Sequence, residues 1–94
     1  MSEPPTRLEL LQRDRTACKK MLAALDAAQT KLDAQRRALA RTKAKARRFG
    51  VRAADSVPVD GALATAQKTI DEERAKWTAL RRQVLIEIRK ESRS

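Results

Sequence analysis

"LAALDAAQTKLDAQRRALARTKAKARRFG", residues 22–50, contains no proline, and its one glycine is its last residue. Ala, Leu, Arg, Lys and Gln dominate it, and these lose little side-chain freedom in a helix. Within it Leu25, Leu32, Leu39 and Ala46 recur at every seventh position. Apolar residues at that interval form the seam of a coiled coil. The fold turns on what packs against this seam.

The row extends back through Cys18 to Leu11, with Met21, Ala28, Gln35, Thr42 and Phe49 as companions three residues on. A second row follows: Leu63, Ile70, Trp77 and Val84, with Ala66, Leu80 and Ile88 filling the seam. Cys18 and Trp77 read as core residues in these rows. Glycine occurs only at 50 and 61, and proline only at 4, 5 and 58. This punctuation predicts a helix over about 6–49, a loop over about 50–59 and a helix over about 60–92. Thr6 or the prolines before it start the first helix. Gly50 ends it as the left-handed C′ residue with apolar Val51 behind it, and Asp60 caps the second. No longer internal repeat is evident. The expected fold is all-α: a single domain, residues 1–94, forming a long antiparallel helical hairpin (a coiled coil) that dimerises into a four-helix bundle.

One register sets Ala46 opposite Leu63, Leu39 opposite Ile70, Leu32 opposite Trp77 and Leu25 opposite Val84. It also sets Glu73 opposite Arg36 and lets the first helix overhang the second, leaving Leu8, Leu10 and Leu11 uncovered as a contact for a second copy or another protein. Pairing of the helices only between chains is the alternative, because a shared seven-residue period keeps layers in step once one is matched.

Composition narrows the function. No run of about 18 apolar residues is present, so no transmembrane helix is expected. The opening residues MSEPPTRLELL lack a basic region followed by an apolar core, so no secretory signal is expected. Cys18 is the only cysteine, which rules out an internal disulfide and fits a reducing, cytoplasmic setting. The chain has no histidine, no glycine-rich phosphate loop and no serine nucleophile motif. Asp71, Glu72 and Glu73 fan around a helix and do not converge. No enzyme, metal or cofactor is expected.

The charge is the informative feature. The net charge is +10, and residues 35–54 carry eight basic groups and no acid. These are Arg36, Arg37, Arg41, Lys43, Lys45, Arg47, Arg48 and Arg52. At about 100° per residue, Leu39, Thr42, Ala46 and Phe49 fall on one stripe, expected to be buried. Arg37, Arg41, Lys45 and Arg48 form a row on the exposed side, rising about 6 Å per four residues, close to the spacing of phosphates along a strand. This predicts a nucleic-acid-binding accessory protein that holds the DNA or RNA backbone with little sequence preference. No exposed aromatic interleaves the row, so base stacking is not expected. The alternatives are an adaptor coiled coil docking on an acidic protein, and a solvated or lipid-facing helix.

Overall fold

The computed structural model describes residues 3–50 and 57–93. They form two helices that pack against each other, α1 (Arg7–Arg48) and α2 (Val57–Arg93), and no strand occurs among them. Neither helix is long and apolar enough to cross a membrane.

The helix ends follow local chemistry. Thr6 caps α1: its Oγ1 accepts from the Glu9 amide at 3.2 Å, and its carbonyl accepts from the Leu10 amide at 3.1 Å. Gly50 closes α1 at φ +73°, a left-handed conformation that costs glycine little, and its amide donates to the Arg47 carbonyl at 3.3 Å. Val51 and most of the expected loop lie outside the described residues. The expected start of α2 is corrected. The helix begins at Val57, so Asp60 is no N-cap but lies within the first turn. Pro58 is compatible with this, because a first-turn residue needs no amide donor.

The chain divides into two compact units, one of Met1–Leu25 with Glu73–Ser94 and one of Asp26–Glu72. In the first unit Cys18 and Val84 are buried. Leu8, Leu11, Leu22, Leu25, Trp77 and Ile88 are half-buried around them. Trp77 donates its Nε1–H to Glu73 at 3.1 Å, and Lys76 Nζ lies 5.6 Å from the Trp77 ring centroid. In the second unit Leu32 and Ile70 are buried, with Leu39, Ala46 and Leu63 half-buried. Among the described residues four buried hydrophobic side chains, of which Cys18 alone is fully buried, make a thin core.

The sevenfold rows are correct, but of their companions only Ala28 and Ile88 are half-buried. Met21, Gln35, Thr42 and Phe49 are exposed, Phe49 at 82%. Ala66 and Leu80 are exposed too. Residues three before the row take the place of the exposed ones: Leu8, Leu22, Gln29 and Lys43 on α1, and Gln67 and Arg74 on α2. Hydrophobicity alone favours the first set. The second is favoured because its polar members find partners, which removes most of the cost of covering them.

The register is also corrected. Gln29, expected opposite Leu80, instead exchanges amide hydrogen bonds with Gln67 at 2.8 and 2.7 Å. Lys43, expected opposite Ala66, instead grips Asp60. Both pairs set α1 of this unit against an earlier part of α2 than expected. In the first unit, Arg7 reaches Glu87 at 2.9 Å and Glu91 at 3.1 Å, so the expected overhang of α1 is absent. Glu73 bonds Trp77 in place of the expected Arg36.

The glutamine pair exposes a repeat that the sequence reading misses. Ala28-Gln29, Leu32-Asp33 and Arg36 correspond, 38 residues on, to Ala66-Gln67, Ile70-Asp71 and Arg74. In both copies the glutamine donates to the aspartate four residues ahead, at 2.9 Å. A polar ladder Asp33–Gln29–Gln67–Asp71 thus crosses the second unit with near two-fold symmetry.

Candidate nucleic-acid interface

The basic segment occupies the last three turns of α1, in the second unit. Arg36, Arg37, Arg41, Lys45, Arg47 and Arg48 are all exposed. None of these six has an ion-pair partner among the described residues. Arg52 lies outside the described residues. Lys43 differs: its side chain is 28% exposed and its Nζ sits 2.7 Å from Asp60 Oδ2 and 2.8 Å from Oδ1. Among the described members Lys43 alone is neutralised, and its counter-ion comes from the first turn of α2. From sequence Asp60 has the signature of a cap, and its role as counter-ion to Lys43 exists only in the folded pair.

Arg41, Lys45 and Arg48 line one shallow groove along α1, floored by Ala38, Thr42 and Ala44. The floor is small and offers no stacking surface. Thr42 is exposed and its hydroxyl is already used, donating to the Ala38 carbonyl at 3.0 Å. Arg37 continues the row one turn earlier, so the four cations span about 16 Å of helix. Part of this charge has a local role. Lys45, Arg47 and Arg48 lie in the last turn of α1, where cations stabilise the negative end of the helix dipole. That accounts for charge at the terminus but not for Arg36, Arg37 and Arg41 further back.

Leu8 and Leu11, expected as an uncovered contact, are half-buried in the first unit, while Leu10 is 46% exposed. Met21, Leu80 and Ile86 are further exposed large hydrophobics of the same unit. The three consecutive carboxylates are spent separately. Asp71 accepts from Gln67, Glu72 faces Lys68 at 4.0 Å, and Glu73 accepts from Trp77.

No protein-family model matches the chain, and neither a curated protein nor a solved structure shows significant similarity to it.

Proposed function

We propose that this chain is a non-enzymatic nucleic-acid-binding accessory protein of the cytoplasm that grips the phosphate backbone through the basic face of α1. The observation that supports it is the set of six exposed cations within residues 36–48, on one helix, with no ion-pair partner among the described residues. A rigid row meets several phosphates without first ordering a flexible tail. Such contacts release counterions, so affinity is sequence-tolerant and falls with salt. Titration with duplex DNA and with RNA at several salt concentrations tests this. The expected slope of log affinity against log salt is about −4 to −5 for four to six phosphate contacts. The combined variant Arg37→Gln, Arg41→Gln, Lys45→Gln, Arg48→Gln should lose most of the binding. Equal binding by that variant, or none by the parent chain at low salt, overturns the reading.

A second reading concerns assembly, and surface area favours it. The chain exposes 7669 Å², against roughly 5,500 Å² for a compact monomer of its mass by surface-to-mass scaling. Only four hydrophobic side chains are buried among the described residues, which leaves much apolar surface in water. Dimerisation of the hairpin into a four-helix bundle, with Leu10 and its neighbours in the contact, covers part of it. An adaptor role, with an acidic protein on the same basic face, competes with nucleic acid for Arg37, Arg41, Lys45 and Arg48.

A further inference from the structure

A second groove runs along α2 in the first unit, lined by Thr78, Arg81, Arg82, Leu85, Ile86 and Arg89. We infer that this groove is a docking site for an acidic amphipathic helix of a partner protein, separate from the basic face of α1. The inference does not depend on nucleic-acid binding. Two features distinguish the groove from the one on α1. Its floor holds two branched aliphatic side chains, Leu85 half-buried and Ile86 41% exposed, where the α1 groove has only alanines and a threonine. Its rim carries three arginines and no acid, and none of the three has an ion-pair partner among the described residues.

Phosphate backbones gain nothing from covering Leu85 and Ile86, whereas an apolar helix face does. The rim selects the partner's sign. Arginine pairs with carboxylates through two parallel hydrogen bonds, and a partner helix with acids flanking its apolar stripe supplies them. A second copy of this chain carries the same net charge of +10 and is a poor match for a rim of three cations. Thr78, Arg82, Leu85 and Arg89 follow a four–three–four spacing, the row against which a second helix packs. The row is about 16 Å long, so the partner segment needs about three turns.

The test uses the full chain, labelled with nitrogen-15, and a fluorescein-labelled helical peptide of about 18 residues with leucines three and four apart and glutamates beside them. Saturable binding is expected, with amide shifts concentrated in residues 78–89. Arg82→Glu with Arg89→Glu should weaken it by at least about tenfold. Ile86→Ser, an exposed site that leaves the fold intact by circular dichroism, should weaken it by at least about threefold. A peptide with its leucines changed to alanine and its charge kept should bind as weakly as the charge-reversed variant binds the original. The inference is overturned if no saturable binding occurs, if Ile86→Ser binds like the parent, or if the shifts map to residues 36–48. It is equally overturned if duplex DNA, vesicles of phosphatidylserine and phosphatidylcholine, or self-association perturbs these amides more strongly than the peptide.

Discussion

Gln29 and Gln67 sit where a simpler coiled coil would place leucine. Each amide both donates to and accepts from the other, and each reaches its own aspartate. Neither is fully buried, so water can replace a lost partner. Gln29→Ala should therefore cost only about 1 kcal/mol in urea unfolding. The double change Gln29→Leu, Gln67→Leu should raise the unfolding midpoint while loosening the choice of register and oligomer, because a polar seam residue fixes both in other coiled coils at a cost in stability. A mixture of masses in sedimentation, with a higher melting temperature, is the expected outcome. Lys43 and Asp60 form a contact of the opposite kind. Both ends are partly exposed, so the pair contributes less than about 1 kcal/mol and weakens with salt. Its effect on the proposed interface is larger. Asp60→Asn releases Lys43 and removes a negative charge beside the basic row. Duplex affinity should rise, and the salt slope should steepen by up to about 0.9 if Lys43 then meets a phosphate. An unchanged affinity would separate Lys43 from the binding face.

At the scale of the helices, two glycines predict opposite signs. Gly50 holds φ +73°, so Gly50→Ala should destabilise by about 1 kcal/mol although its Cβ would meet nothing within 4 Å. Gly61 lies inside α2 in open space, and Gly61→Ala should stabilise by about 0.5–1 kcal/mol. Thermal melts followed by circular dichroism read both. The same elements show what was legible in the sequence. Helix propensity, the punctuation at Thr6 and Gly50, and the sevenfold rows through Leu32 and Ile70 are local or periodic signals, and all appear in the fold. The companion positions and the register are not local. A period of seven satisfies several registers, and the choice among them rests on loop length and on pairs such as Lys43–Asp60 that exist only after folding. Phe49 illustrates the limit: apolar and in phase with the predicted stripe, it sits in the turn just past Arg48, where α1 has ended, and stays exposed. The candidate interface was more legible than the seam. Long cations at the outer positions of a helix need no partner to be placed, and of the seven described here only Lys43 is drawn into a pair.

At the scale of the molecule, charge and apolar surface pull in opposite directions. Two chains of net charge +10 repel, while the excess of exposed surface over a compact monomer favours association. Salt screens the repulsion over a Debye length of about 10 Å at 0.1 M but leaves apolar burial in place. Self-association through the exposed leucines should therefore strengthen from low to high salt. Nucleic-acid binding, driven by counterion release, should weaken over the same range. Equilibrium sedimentation in about 50 mM and 500 mM salt, beside the duplex titration, measures both slopes on one preparation. The expected result is a mass moving from one toward two copies of 10.6 kDa as salt rises, with a melting temperature that increases with protein concentration. Leu10→Ser should abolish that rise while leaving the duplex slope unchanged. A single-copy mass at every salt and concentration would mean that the hairpin tolerates its thin core alone, and the four-helix bundle would fall without affecting the basic face of α1.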